Sequence, residues 1–122
     1  MATVLVVDDE PSIVLPLRFL LEKQGHEVQV VSDGARVLPA VRDRTPDLIL
    51  LDVHLPSRDG YDLCRAVRAE EGGEAVRIVM LTVNSREVDR AKGLALGADA
   101  YLTKPFAIDD VLRQVDELLR VR

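Results

Sequence analysis

The chain has 122 residues, of which 48% are hydrophobic and 30% are charged, and its formal net charge is −5 at pH 7. This length and apolar content suit a single domain, residues 1–122, with a substantial hydrophobic core. The acidic balance and the lack of long Lys/Arg runs argue against direct nucleic-acid binding, because the phosphate backbone demands a basic surface.

The cysteine content and the amino terminus indicate a cell compartment. The single cysteine, Cys64, excludes an intrachain disulfide, and we expect it to be a buried, unreactive thiol. The amino terminus, MATVLVVDDE, reaches acidic residues too early for a signal peptide, and no apolar stretch approaches the roughly 20 residues that cross a bilayer. We therefore expect a cytoplasmic protein that does not enter a membrane.

Short apolar runs alternate with amphipathic segments along the chain. The runs are rich in Val, Ile and Leu and too short for ordinary helices, which is typical of buried parallel strands. The segments between them repeat apolar residues at helical spacing, and Gly25 and Gly97 stand where two helices would end. The predicted order is strand Ala2–Val7, helix Ser12–Gln24, strand Glu27–Val31, helix Ala35–Arg44, strand Asp47–Leu51, a helix capped by Asp59 and ending near Glu71, strand Val76–Leu81, helix Arg86–Leu96, strand Asp99–Leu102 and helix Ile108–Leu119.

Five strand–helix units with short connections predict an α/β fold, a doubly wound five-stranded parallel sheet covered by helices on both faces. In the flavodoxin-like (βα)5 order 2-1-3-4-5, the first and third strands are neighbours at the topological switch point, where open α/β sheets bind ligands. Asp8, Asp9 and Asp52 stand at the ends of these two strands.

Reactive side chains follow four of the five predicted strands. Asp8 and Asp9 follow the first, Asp52 the third, Thr82 the fourth and Lys104 the fifth. The carboxyl ends of parallel strands lie at one edge of the sheet, so these side chains should converge there. Two carboxylates about 4 Å apart repel by roughly 4 kcal/mol at an effective dielectric constant of 20, and a cluster of three therefore predicts a bound cation.

Mg²⁺ suits the predicted cluster best, because it prefers oxygen ligands and commonly binds one or two carboxylates together with a substrate phosphate. Calcium would need a loop that supplies many oxygens, and zinc would need Cys and His ligands, of which the chain has only Cys64, His26 and His54. An ammonium and a hydroxyl suit a phosphoryl group, and a carboxylate can accept one covalently. Asp52, central among the five residues, is the candidate acceptor.

The segments VVDDE, LLDVHLPSRDG, LTVN and GADAYLTKPF resemble the receiver domain of two-component response regulators, and the resemblance covers essentially the whole chain. It implies that Asp52 accepts the phosphoryl group and that Asp9 is a direct Mg²⁺ ligand. It further implies that Asp8 acts partly through water and that the backbone carbonyl of His54 completes the metal shell.

The same resemblance implies that Thr82 and Lys104 bind the phosphoryl group, that Tyr101 is an aromatic switch residue, and that Lys104-Pro105 is a cis bond. The chain would then be a phosphorylation-controlled signalling switch, phosphorylated by a sensor histidine kinase or a phosphotransfer protein. The domain would catalyse only its own phosphorylation and dephosphorylation. The face made by the fourth helix, fifth strand and fifth helix would change shape.

Three positions beside the predicted site should tune access to Asp52 and the lifetime of its phosphoryl group. Val83 stands where receivers usually have a small residue; it would narrow the approach if it overhangs the site and would be harmless if the loop leans outward. His54 lies two residues past Asp52 and Asn84 two past Thr82, and the resemblance implies that both flank the phosphoryl group.

Oligomerisation depends on two further positions. In the winged-helix-linked subfamily an Asp precedes the switch tyrosine and pairs with an Arg of the last helix across a dimer. Here these positions hold Ala100 and Gln114. We therefore expect a monomer or a weak, phosphorylation-dependent dimer.

Three alternative functions share parts of this pattern. A phosphorylation-independent pseudo-receiver scaffold would keep the fold without the reaction. A phosphatase of the haloacid-dehalogenase type would need Asp-x-Asp after the first strand, where this chain has Asp8-Asp9-Glu10-Pro11, and a flavodoxin-like FMN carrier would need a phosphate-binding loop rich in Ser, Thr and Gly there.

Overall fold

A five-stranded parallel sheet with strand order β2-β1-β3-β4-β5 lies at the centre of the molecule. The structure, a computed structural model, describes residues 2–120. The predicted fold class and strand order are confirmed. The strands are β1 (Thr3–Val7), β2 (Glu27–Val31), β3 (Leu48–Asp52), β4 (Arg77–Thr82) and β5 (Ala100–Thr103), and the α-helices are α1 (Pro11–Lys23), α2 (Val37–Asp43), α3 (Gly60–Ala69), α4 (Glu87–Ala95) and α5 (Ile108–Arg120).

The strand register brings the carboxyl ends of the central strands to one edge of the sheet. Val7 at the end of β1 pairs with Leu51 of β3. Asp52 pairs with Leu81 of β4, and Thr82 pairs with Thr103 of β5. Since all four strand pairs are parallel, the loops that follow β1, β3, β4 and β5 leave from this same edge.

Alternate residues of the strands face two separate hydrophobic cores, which explains the nearly continuous apolar runs in the sequence. One core joins one face of the sheet to α1 and α5, and the other joins the opposite face to α2 and α3. Cys64 is fully buried in the second core, as predicted, and burial raises the pKa of its thiol to about 11, which favours the protonated form. Among residues 2–120, none of the helices has both the length and the apolar character that a membrane span requires.

Element boundaries differ from the predicted ones by at most two residues. The second helix begins with a 3₁₀ turn at Gly34–Arg36, and its α-helical part starts only at Val37, so that Pro39 falls in the first turn, where its missing N–H costs little. Strands β3 and β4 extend one residue further than predicted and include Asp52 and Thr82. The sheet, and not a loop, therefore holds these two side chains.

At the opposite edge of the sheet, one guanidinium group ties several segments together. Arg68 of α3 donates hydrogen bonds to the carbonyl oxygen of Gly97 at 3.0 and 2.6 Å, and to those of Gly73 at 2.7 Å and Val76 at 2.5 Å. It also pairs with the carboxylate of Asp99 at 3.0 Å. The residues after α3 and α4 and the start of β5 are therefore fixed to one another.

The start of α3 packs directly on the backbone that follows β3. Asp59 caps the helix as predicted, since its carboxylate accepts the N–H of Tyr61 at 2.9 Å. Gly60 donates its N–H to the carbonyl of Val53 at 2.8 Å. A Cβ atom on Gly60 would lie 2.5 Å from the Cα of Val53 and 2.7 Å from the carbonyl oxygen of Asp52, so only glycine fits here.

We expect Gly60→Ala to lower the free energy of unfolding by about 3 kcal/mol, because the added methyl meets backbone that cannot move aside without shifting Asp52. Gly25→Ala is the matched control: its Cβ would meet nothing within 4 Å, and only the φ of +93° opposes it, at about 1 kcal/mol. Urea unfolding of both variants measures the difference. Equal losses at the two positions would contradict this packing.

Candidate functional site

Three carboxylates meet at the carboxyl edge of the sheet. Asp8, Glu10 and Asp52 each place an oxygen within 4.8 Å of the other two. Asp8 and Asp52 are 1% and 3% exposed, whereas Glu10 is exposed. Asp8 follows β1, where its Oδ1 accepts the N–H of Glu10 at 2.9 Å, and Asp52 is the last residue of β3. Neighbouring parallel strands thus supply the two buried members.

Lys104 lies among these carboxylates. Its Nζ is 3.1 Å from Asp8, 2.9 Å from Glu10 and 3.6 Å from Asp52, and its side chain is 9% exposed. Burial disfavours the charged ammonium, but the hydrogen bond to Glu10 and the charges of Asp8 and Asp52 outweigh it, so the pKa of Lys104 is raised. The Lys104-Pro105 bond is cis, as the resemblance implied.

Asp52 is held in an environment that disfavours its charge. Burial raises the pKa of its carboxyl group, and the nearby charges of Asp8 and Asp9 raise it further. The N–H of His54, which donates to Oδ1 at 3.1 Å, and the ammonium of Lys104 act in the opposite direction. The net shift is upward, because burial and the two neighbouring carboxylates together outweigh the His54 N–H and the Lys104 ammonium.

A divalent cation fits this donor set. Three carboxylates surround a single ammonium, which leaves a formal charge of about −2 at the edge of a buried sheet. The donors are all oxygens, which is the ligand chemistry of Mg²⁺ and not that of zinc. The carboxylate group therefore has the composition of a magnesium site.

Glu10 is the member of this group that the sequence reasoning did not single out, although it stands in the quoted segment VVDDE. Asp9, the predicted direct ligand, is exposed and does not belong to the group of three. It lines an adjacent cleft of about 810 Å³ together with His54 and Asn84. Its role as a Mg²⁺ ligand stays a prediction.

Thr82 and Tyr101 are linked through Asn84. Thr82 is fully buried at the end of β4, and its hydroxyl accepts the N–H of Asn84 at 3.0 Å. The hydroxyl of Tyr101 donates to the carbonyl oxygen of Asn84 at 2.9 Å, and the tyrosine is only 4% exposed. The aromatic ring therefore points inward, toward the loop that follows β4.

Two of the predicted tuning residues meet across the cleft. Nε2 of His54 lies 3.3 Å from Oδ1 of Asn84, which is a hydrogen bond when that nitrogen carries the proton. Val83 is 62% exposed, and it lines a second pocket of about 410 Å³ next to Lys104 and Phe106. The loop after β4 therefore presents Val83 to solvent beside the carboxylates.

Comparisons with known proteins agree with this geometry. A model of the response regulator receiver domain matches residues 4–116. The DNA-binding response regulator MtrA of Mycolicibacterium smegmatis is 44% identical over 117 residues, which are 96% of this chain and 50% of that protein. The alkaline phosphatase synthesis transcriptional regulatory protein PhoP of Bacillus subtilis is also 44% identical, over 96% of this chain and 48% of its own length. The chain thus spans about half the length of these relatives.

Solved receiver domains share the whole fold. The receiver domain of a sensor histidine kinase of Pseudomonas aeruginosa, with a magnesium ion coordinated in its active-site cleft, is 33% identical, with a TM-score of 0.86 over 98% of both chains. The BeF₃-activated receiver domain of Klebsiella pneumoniae RstA is 30% identical, with a TM-score of 0.87 over 97% of this chain and 98% of that one. Buried acids and a lysine at the carboxyl ends of parallel strands fit a phosphoryl-accepting pocket. The chain belongs to the family of response regulator receiver domains.

Proposed function

We propose that Asp52 is the phosphoryl acceptor of a signalling switch, and that a sensor histidine kinase or a phosphotransfer protein is the donor. The observation that carries this proposal is the position of Asp52, which is buried at the end of the central strand β3 with Lys104 3.6 Å away. Burial keeps its carboxylate poorly solvated, and a poorly solvated carboxylate is a better nucleophile than one in water.

The transfer uses groups that already face one another. A carboxylate oxygen of Asp52 forms a bond to phosphorus as the phosphorus–nitrogen bond of the donor phosphohistidine breaks, and the departing imidazole nitrogen keeps the electron pair and takes up a proton from solvent. Lys104 offsets the negative charge of the phosphoryl oxygens. Thr82, whose oxygen accepts the N–H of Asn84, is the hydroxyl that we propose donates to a phosphoryl oxygen.

The Mg²⁺ ligands that we propose are Asp8, Asp9, Asp52 and the backbone carbonyl of His54, with Glu10 as a further carboxylate at the same edge. When bound, the ion neutralises charge on the carboxylates and on the phosphoryl oxygens. Lys104 bridges Asp8 and Glu10, so the ammonium and a cation would share these carboxylates.

We further propose that phosphorylation shifts a pre-existing equilibrium at the face formed by α4, β5 and α5, with Thr82 and Tyr101 as the switch residues. The same site catalyses the later hydrolysis of the phosphoryl group.

Ala100 and Gln114 cannot form the salt bridge described for related dimers, which favours a monomer or a weak, phosphorylation-dependent dimer. A phosphorylation-independent scaffold finds no support, because the acids, the hydroxyl and the ammonium of the pocket are all in place.

We expect incubation with acetyl phosphate and Mg²⁺ to add the mass of one phosphoryl group, and the addition to disappear in Asp52→Asn. Intact-mass spectrometry measures both. The control is Asp43→Asn, which changes an exposed carboxylate at the end of α2, and it should label like the wild type. Equal labelling of the wild type and Asp52→Asn would assign the acceptor elsewhere.

We expect Mg²⁺ to raise the free energy of unfolding by about 1–3 kcal/mol at ten to a hundred times its dissociation constant, because only the folded chain assembles the carboxylates. Asp9→Ala should remove this response if Asp9 is a direct ligand, and Glu10→Ala should retain most of it. Thermal melts with and without Mg²⁺ measure the effect. A wild-type melting temperature indifferent to Mg²⁺ would count against the metal site.

We expect Val83→Ala to speed both self-phosphorylation by acetyl phosphate and self-dephosphorylation, with little change in Mg²⁺ affinity. The Val83 side chain is 62% exposed beside Lys104, so its methyl groups are available to obstruct an incoming donor or water, and an error of about 1 Å in approach can cost about a hundredfold in rate. The two rates are measured separately. Unchanged rates would mean that the loop leans away from the path to Asp52.

A further inference from the structure

The only two tyrosines of the sequence meet in one buried contact. Tyr61 lies in the first turn of α3 and Tyr101 in β5, and their hydroxyl oxygens are 3.1 Å apart. They are 6% and 4% exposed, so neither hydroxyl is well placed to exchange this partner for bulk water. A helix on one face of the sheet thus reaches the predicted switch residue through a hydrogen bond.

The acceptor on the far side fixes the direction of this hydrogen bond. The carbonyl oxygen of Asn84, 2.9 Å from the Tyr101 hydroxyl, can only accept, so Tyr101 uses its single hydrogen there. Tyr61 must then donate to the oxygen of Tyr101. Its alternative acceptor, the carbonyl of Asp89, is 3.5 Å away, at the outer limit for a hydrogen bond.

The hydrogen bonds continue from Asn84 to the reacting carboxylate. The N–H of Asn84 donates to the hydroxyl of Thr82 at 3.0 Å, and its side-chain oxygen lies 3.3 Å from the imidazole of His54. The backbone N–H of His54 donates to Asp52 at 3.1 Å. The loop after β4 is therefore held at Asn84 from both sides, by the cleft and by the tyrosine pair.

Both tyrosine rings are packed against neighbouring side chains, so a substitution by Phe can remove a hydroxyl without moving its ring. A Cβ atom on Gly93 of α4 would lie 3.0 Å from the ring of Tyr101 and 2.9 Å from the sulfur of Met80, so α4 lies directly against that ring. The ammonium of Lys92 stands 4.5 Å from the centre of the Tyr61 ring. Removing the Tyr61 hydroxyl therefore deletes its hydrogen bond to Tyr101 and its longer contact with Asp89, and leaves the packing of both rings in place.

We propose that Tyr61 is a positioning residue for phosphoryl transfer: by donating to Tyr101 it holds Asn84, and with it Thr82 and the loop after β4, in register with Asp52. This inference rests on the proposed function. Its physical basis is that Thr82 must meet a phosphoryl oxygen while the donor phosphorus lies in line with Asp52, a geometry that tolerates little displacement. Without the Tyr61 hydroxyl, Tyr101 keeps its hydrogen bond to Asn84 but is no longer fixed from α3, so the tyrosine side of the loop is held less firmly.

The test compares phosphorylation rates with acetyl phosphate and Mg²⁺ in the wild type, Tyr61→Phe, Tyr101→Phe and the double variant. Loss of one neutral hydrogen bond should slow Tyr61→Phe roughly two- to tenfold. The same change in the Tyr101→Phe background should have no further effect, because Tyr61 acts through Tyr101. An unaltered rate in Tyr61→Phe, or an equal loss in both backgrounds, would overturn the inference.

Cys64→Ala is the control for weakened packing of α3. Cys64 lies in the same helix, is fully buried, and directs its thiol toward the carbonyl of Leu96 and not toward Tyr101. It should lower the melting temperature and leave the phosphorylation rate unchanged. A rate loss in Cys64→Ala as large as that in Tyr61→Phe would mean that any weakening of α3 slows the reaction, and would also overturn the inference.

A second readout needs no phosphorylation. Because the sequence has only two tyrosines, fluorotyrosine labelling gives one ¹⁹F resonance for each ring. Tyr61→Phe should shift the Tyr101 resonance, and Cys64→Ala should not; an unshifted resonance would contradict the hydroxyl contact. If the wild type is not phosphorylated by acetyl phosphate, the proposed function is overturned together with this inference. If the wild type is phosphorylated and Tyr61→Phe reacts at the same rate, the inference alone is overturned.

Discussion

The site depends on one electrostatic constraint, the sharing of a single ammonium among three carboxylates. Lys104 lies within 3.6 Å of Asp8, Glu10 and Asp52, two of which are almost fully buried. Such a group has a cost for the fold, because burial disfavours each charge and the carboxylates repel one another. The parallel sheet can impose this arrangement because its two cores fix the strand ends whatever the charges prefer. Three carboxylates and one ammonium leave the pocket with a net negative charge, and this charge favours the binding of a cation.

The sequence predicted the fold and most of this site for one physical reason. Strands buried on both faces must be apolar along their whole length, so each polar residue that ends such a run marks the edge of the sheet. Parallel pairing then places Asp8, Asp52, Thr82 and Lys104 at one edge, although Asp8 and Lys104 are 96 residues apart. Neither the pairing nor the convergence needed any knowledge of side-chain conformation, which is why both were accessible from the pattern.

Details that depend on side-chain direction within a loop were not accessible in this way. Asp8, Asp9 and Glu10 are consecutive, and nothing in their order says that the first and third would meet Lys104 while the second faces the neighbouring cleft. The contact of Tyr61 was equally hidden, because helical periodicity marks a residue as buried without saying which hydroxyl it meets. The resemblance drew attention to Tyr101 but offered no partner for it on α3.

The clamp at Arg68 has a mechanical consequence for the opposite edge of the sheet. Its two bonds to the carbonyl of Gly97 anchor the carboxyl end of α4, whereas the amino end of α4 follows the exposed loop that is tied down at Asn84. A nine-residue helix is about 13 Å long, so a tilt of about 10° about the anchored carboxyl end would move the amino end of α4 by about 2 Å. A shift of the loop after β4 would therefore change the angle of α4 more than the position of its anchored carboxyl end.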